Sequence, residues 1–120
     1  MTWLVATGDF AAHGGMDRAN HALASWLARE GRDATLIAYG PTVQTALAAA
    51  EQGEAEGVSL EVIDLRSLAP LDMDTLRASV RKTRRAVVVH EAPVFMGLGA
   101  EIAAQLMHDL FDVLEAPIER

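Results

Sequence analysis

Cysteine is absent from the 120 residues, and its absence excludes several kinds of chemistry at once. A chain without thiols has no disulfide framework, no thiolate nucleophile and no cysteine-ligated metal. Aromatic residues are also scarce, at 5% of the chain, whereas hydrophobic residues make up 51%. This proportion is enough to build the core of one compact domain, and the chain is too short for two ordinary ones.

Positive charge is in short supply as well. The chain has 10 lysine and arginine residues against 17 aspartate and glutamate residues, a formal net charge of −7. Phosphate backbones and anionic membranes attract basic surfaces, so this balance argues against a nucleic acid or a membrane as partner. No apolar run is long enough to span a bilayer, and the first residues lack the features of a signal peptide. We therefore expect a cytoplasmic protein.

What the chain does contain is an alternation of short apolar runs with longer amphipathic segments. The runs predict buried parallel strands, and apolar residues at helical spacing predict the helices between them. The predicted strands are residues 3–7, 35–39, 58–64 and 85–89, with an edge strand at 116–119, and the predicted helices are 16–29, 43–53, 73–83 and 97–111. Thr42 and Asp72 are predicted helix caps.

This alternation predicts the fold class. Strands that alternate with helices form a parallel sheet covered on both faces, with right-handed crossovers. We expect a single α/β domain over residues 1–120, a Rossmann-like three-layer α/β/α sandwich around a mostly parallel, five-stranded sheet. The predicted strand order is 1-3-2-4, with the C-terminal segment outermost.

Three motifs in the later part of the chain resemble a known family. They are residues 36–42 (LIAYGPT), 62–71 (VIDLRSLAPL) and 87–101 (VVVHEAPVFMGLGAE). In this order they resemble the C-terminal domain of the transketolase family, nearest to the beta subunit of the 2-oxo acid dehydrogenase decarboxylase component, from about Glu30 to Arg120. The resemblance implies docking to other subunits of a dehydrogenase complex. It also implies that thiamine diphosphate and Mg are bound mainly by domains without a counterpart here, so we expect no cofactor.

Residues 1–30 carry a different resemblance, to the first strand, glycine loop and helix of a GT-B glycosyltransferase. In such a loop the backbone amides of Gly14 and Gly15 approach a diphosphate at a helix N-terminus. Asp17 and Arg18 complete this candidate anion-binding site. The alternative is that the glycines only turn the chain and Asp17 only stabilises the start of the helix.

A second candidate site follows two of the predicted strands. His90 and Glu91 lie at the edge where open parallel sheets bind ligands, near a topological switch point. Imidazole titrates near neutral pH and can transfer protons. With Gly40, Thr42 and Gly97, these residues form a candidate switch-point pocket. The alternative is a polar corner that stabilises the junction of strand and loop, and we predict no catalytic residue.

The loop after this corner departs from the resembling family. Where the family has a polar run and a glycine-rich turn, this chain has Val94, Phe95 and Met96. If exposed together, they form an apolar interface, and we expect a homodimer. The alternative is that Phe95 and Met96 fold back over the sheet edge. His108, Asp109 and Asp112 have no second ligand pair at metal-binding spacing, so we predict no metal site.

Taken together, these features favour a structural or assembly role without catalytic activity of its own. We interpret the chain as chimeric or designed, with two lineages joined near Glu30. One alternative is a fragment of a thiamine-diphosphate-dependent 2-oxo acid dehydrogenase beta subunit that acts in subunit assembly. Another is weak binding of phosphate or a nucleotide sugar by Gly14 and Gly15.

Overall fold

A three-stranded parallel sheet is the centre of the part of the chain that this computed structural model describes, residues 34–120. Its strands are β1 (Ala34–Ala38), β2 (Leu60–Asp64) and β3 (Ala86–Val89), and its helices are α1 (Thr42–Ala55), α2 (Met73–Thr83) and α3 (Leu98–Leu110). The order is β2-β1-β3, with both pairings parallel. This confirms the predicted α/β class and the relative order of these three strands. The strand and helix predicted at 3–7 and 16–29 lie outside the described residues.

The central strand β1 is buried along its whole length because helices cover both faces of the sheet. Successive side chains of a strand point to opposite faces, so Leu36 and Ile37 belong to different core clusters. The Leu36 cluster includes Ala46 and Ala50 of α1, which are fully buried. Small side chains allow the helix to approach the sheet closely, as the sequence predicts.

The opposite face of the sheet is covered by α2 and α3. Leu76 and Val80 of α2 pack with Ile102 and Leu106 of α3, and all four are fully buried. The third layer is therefore formed by two helices that share one core with Ile37. Within residues 34–120, no helix combines the length and the apolar character needed to cross a membrane.

A cluster of hydroxyl groups interrupts the apolar contact between β1 and α2. The Thr35 hydroxyl lies 2.7 Å from the Ser79 hydroxyl and 2.7 Å from the Thr83 hydroxyl, and all three residues are buried. The Thr83 hydroxyl also lies 3.1 Å from the carbonyl oxygen of Arg85. Buried hydroxyls are costly without partners, so each of these groups satisfies another.

The ends of the elements follow the sequence in some places and not in others. The Asp72 carboxylate accepts a hydrogen bond from the Thr75 amide at 3.1 Å, which confirms the predicted cap of α2. The predicted strand at 116–119 is reduced to one parallel bridge between Glu119 and Val87. This bridge nevertheless places the C-terminal segment beside β3, on the outer edge where the sequence predicts it.

We predict that Thr35→Val destabilises the chain by about 1–3 kcal/mol, because it leaves the buried Ser79 hydroxyl without its partner on β1. Urea denaturation followed by circular dichroism measures the loss. The triple variant Thr35→Val, Ser79→Ala, Thr83→Val removes the whole cluster and should recover most of the stability. A single variant as stable as the parent chain would contradict this account.

Candidate functional site

The carboxyl ends of β1 and β3 form the topological switch point of the sheet. The chain leaves β1 through α1 towards β2 on one side, whereas β3 lies on the other side of β1. After β3 the chain enters α3, which packs on the opposite face from α1. Connections that diverge in this way open a crevice at the strand ends, where α/β proteins bind ligands.

Thr42 joins the two strand ends across this crevice. Its hydroxyl lies 2.8 Å from the Tyr39 carbonyl oxygen and 3.0 Å from the Val89 carbonyl oxygen, so one proton is shared between two acceptors. The prediction that Thr42 caps α1 is therefore wrong: Pro41 is at the cap position, and no side chain accepts from the helix amides there. The hydroxyl instead donates to the carbonyl oxygens at the ends of both strands.

His90 fills the rest of the crevice. Its side chain is buried, with 7% of the residue exposed, and its Nδ1 lies 3.3 Å from the Tyr39 hydroxyl. The two rings are tilted, with centroids 5.8 Å apart. Both residues directly follow their strands, so the pairing of β1 with β3 brings them together.

The other side of the imidazole lies against the start of α3. A methyl group at Gly99 would overlap His90 Nε2, and one at Gly97 would lie 3.2 Å from His90 Cε1 and would overlap the Pro93 carbonyl oxygen. Gly97 has φ −74°, a backbone conformation that any residue adopts. The glycines are therefore required for space rather than for backbone freedom. The imidazole occupies the position of a methyl group at Gly99, and the Pro93 carbonyl oxygen occupies that at Gly97.

Burial determines the protonation states of His90 and Tyr39. It lowers the pKa of His90, an effect to which the nearby Arg120 guanidinium adds, and it raises the pKa of Tyr39. The charged form of a group is disfavoured when water is removed, so both side chains are neutral at neutral pH. A neutral imidazole enclosed by a tyrosine and two glycines has the character of a polar corner. The geometry favours this alternative over an open site for proton transfer.

Two of the remaining residues of the predicted pocket lie at the surface. Gly40 forms an exposed turn with φ +62°, and the Glu91 side chain is exposed. The structure thus brings His90 into contact with Gly97 and places Thr42 beside the carbonyl of Val89. The sequence-based pocket omitted Tyr39 and Gly99, although Tyr39 is the only tyrosine of the chain and follows a strand directly.

The loop between His90 and α3, residues 91–97, presents an apolar surface and is called the 91–97 loop below. Val94, Phe95 and Met96 are 61%, 83% and 84% exposed, so Phe95 and Met96 do not fold back over the sheet edge. Met96 adopts a left-handed φ of +59°. The Arg120 guanidinium donates to the Val94 carbonyl oxygen at 3.0 Å and fixes the outer part of the loop.

Two other groups of residues remain from the sequence, His108 with its acidic neighbours and the glycine loop. In residues 34–120 no three histidine or acidic side chains are grouped to hold a metal ion. The Asp109 carboxylate instead accepts from Arg77 at 2.6 Å, which links α3 to α2, and His108 is exposed. Gly14, Gly15, Asp17 and Arg18 lie outside the described residues, so the anion site stays a prediction.

Comparison with known proteins gives a consistent result. The family model described as "Transketolase, C-terminal domain" matches residues 25–120. The chain is 56% identical over 92 residues to the pyruvate dehydrogenase E1 component subunit beta of Staphylococcus epidermidis, covering 77% of this chain and 28% of that protein. It is 52% identical over 93 residues to the 3-methyl-2-oxobutanoate dehydrogenase subunit beta of Mycobacterium tuberculosis, covering 77% and 27%.

A solved structure gives the same answer for the fold. The chain superimposes on a structure titled "Split gene transketolase, inactive beta4 tetramer" with a TM-score of 0.64 and 35% sequence identity. The alignment covers 74% of this chain and 28% of that one. The chain therefore spans a little over a quarter of the length of the relatives that it matches.

We predict that Gly99→Ala destabilises the chain by about 1–3 kcal/mol, because the added methyl group overlaps the imidazole of His90. His90→Ala in the same background removes the overlap. The double variant should therefore lose less stability than the sum of the two single variants, by about 1 kcal/mol or more. Additive losses in thermal or urea denaturation would show that the two residues do not contact each other.

Proposed function

The chain belongs to the family of transketolase C-terminal domains, and from that membership we propose that it is the assembly domain of a 2-oxo acid dehydrogenase beta subunit. In this role it has no catalytic activity of its own and contributes a binding surface to other subunits. It corresponds to the beta-subunit fragment that the sequence offers as an alternative.

The observation that carries this proposal is the contrast between His90 and the loop that follows it. The imidazole is enclosed by Tyr39, Gly97 and Gly99. The 91–97 loop directs three consecutive apolar side chains into solvent. Exposed apolar patches of this kind mark interfaces with other proteins.

The relatives support the same interpretation. Two are named as beta subunits of dehydrogenases, and a third is named as a beta tetramer. Proteins with these names work as parts of assemblies, so a surface for other subunits is expected on a domain that they share. We propose that the 91–97 loop lies in such a contact, either with a second copy of the beta subunit or with another component of the complex.

The extent of the family match favours the fragment over a chimeric or designed chain. The match begins at residue 25, ahead of the junction predicted near Glu30. The matched residues, which include the predicted junction, are therefore family sequence. The glycosyltransferase resemblance of residues 1–30 stays a prediction.

A domain transplant tests the proposal. Residues 25–120 would replace the matching C-terminal part of the S. epidermidis pyruvate dehydrogenase E1 beta subunit, co-expressed with its alpha subunit. We expect the hybrid to co-purify with the alpha subunit and to oxidise pyruvate. Phe95→Ser with Met96→Ser should weaken assembly by tenfold or more in sedimentation velocity, since burying one such side chain contributes about 1.5–3 kcal/mol.

The matched control is Phe111→Ser. Phe111 is also an exposed aromatic residue, at 77%, but it follows the other end of α3. This variant should assemble like the unmodified hybrid. A hybrid that folds by circular dichroism but sediments as separate subunits would refute the assembly role. Equal assembly of the loop variant and the control would refute the role of the loop.

A further inference from the structure

We infer that the His90 imidazole holds both ends of the 91–97 loop and that its protonation releases this loop from the start of α3. The proposed change is a movement of the loop, and it depends on the contacts of the His90 ring. It adds a response to pH that the assembly role by itself does not require.

The geometry of the loop is the first step. The loop leaves the chain directly after His90, and it ends at Gly97, whose absent Cβ position is 3.2 Å from Cε1 of the same ring. Gly99, the second residue of α3, is packed against Nε2. The two ends of the loop therefore meet at the imidazole. Movement of the ring out of the crevice therefore removes the contacts that the ring itself makes with Gly97 and Gly99.

The second step is the set of groups that surround the ring. At the end of β1, the Tyr39 hydroxyl is hydrogen-bonded to the imidazole of His90. In the C-terminal segment, the Arg120 guanidinium is close enough to interact electrostatically with it. From α3 it meets the N-terminus, whose free amides carry partial positive charge. The acidic residues on the adjoining segments, Glu91 and Glu101, are exposed to solvent, and Glu101 accepts from Gln105 at 2.7 Å.

These surroundings oppose a positive charge on the ring in three ways. The site is buried, a guanidinium is nearby, and a helix begins against it. A protonated imidazole is therefore more stable in water than in the crevice. Arg120 also donates to the Val94 carbonyl, so repulsion between the two cations weakens the contact that fixes the outer part of the loop.

The direction of the pH effect follows from the pKa of His90, which is lower in the packed ring than in a released one. A released histidine titrates near its ordinary value of about 6.5. Above that pH both states are neutral and the packed loop keeps its full stability. As the pH falls from about 6.5 to the lower value of the packed ring, the released state takes up the proton first, and its population rises by up to about tenfold per pH unit.

The consequence for assembly rests on the proposed function, whereas the release of the loop does not. The loop carries Val94, Phe95 and Met96, so its release changes how the apolar surface is presented. If the surface binds another subunit in its packed form, assembly should weaken in acid.

Nuclear magnetic resonance of the 120-residue chain tests the inference. His90 and His108 are titrated from pH 7.5 to 5, and amide protection factors are measured for residues 91–100 after correction for intrinsic exchange. We expect His90 to titrate below the ordinary histidine value of about 6.5, and the protection of the loop to fall by up to about tenfold per pH unit as the pH drops below 6.5. Loop protection that does not depend on pH would overturn the inference.

Variants separate the ring from other acid effects. His108→Gln should leave the pH profile of the loop unchanged, whereas His90→Gln cannot take up a proton and should flatten it. Arg120→Gln removes the nearby cation and should raise the pKa of the packed His90, which moves the lower end of the loop profile to higher pH and narrows the range over which protection falls, while Arg120→Lys should leave both near their original positions. If His90→Gln does not fold, the two Arg120 variants still test the inference. An unshifted pH profile of loop protection in Arg120→Gln would refute the mechanism.

Sedimentation of the hybrid beta subunit at pH 7.5 and pH 6 distinguishes the two proposals. Loss of loop protection together with weaker assembly supports both. Loss of protection with unchanged assembly supports the release of the loop and counts against the loop as the assembly surface. Constant protection counts against the release, whatever the assembly does.

Discussion

The position of β1 in the middle of the sheet is the constraint from which the other features follow. The strand is hydrogen-bonded along both edges, and helices cover both of its faces. A strand in this position has no solvent-facing side, so its register with both neighbours is fixed by the fit of side chains on two faces. That register places the residues after β1 and β3 next to each other. The contacts of Thr42 and of Tyr39 with His90 depend on it.

Much of this arrangement is predictable from the sequence, because its causes are local. The α2 boundaries at Met73 and Thr83 follow from the Asp72 cap and the apolar spacing, and the structure reproduces both. The apolar runs of β1 and β3 likewise predict buried strands to within one residue. The sequence is a weaker guide where the hydrogen-bond partner of a residue comes from a distant part of the chain. Thr42 has the chemistry of a cap, and only the neighbouring strand reveals its carbonyl acceptor.

The candidate site shows the same difference between features with local causes and features that depend on distant residues. The strand end and the glycine loop predict that His90 lies at the switch point, and the structure places it there. The contacts that close the site involve Tyr39 and Gly99, which are 51 and 9 residues away along the chain. No local pattern indicates such contacts. The C-terminal strand is over-predicted for a different, local reason: Pro117 has no amide to donate, and Glu119 is the residue of this segment that bridges to β3.

Polar residues in this domain mostly satisfy one another. The hydroxyls of Thr35, Ser79 and Thr83 form one buried group, and His90 with Tyr39 forms another. Each group holds a helix or loop in a defined place on the sheet, which apolar contacts alone specify less strictly. These two buried polar groups thus hold parts of the domain's own fold in place.

The composition of the chain gives Met96 a further property. Methionine supplies all of the sulfur, because cysteine is absent, and Met96 is the most accessible methionine among residues 34–120. A thioether in contact with solvent is open to oxidants, and the resulting sulfoxide is polar. One added oxygen atom on Met96 would therefore make an apolar part of the surface hydrophilic without any change in the backbone.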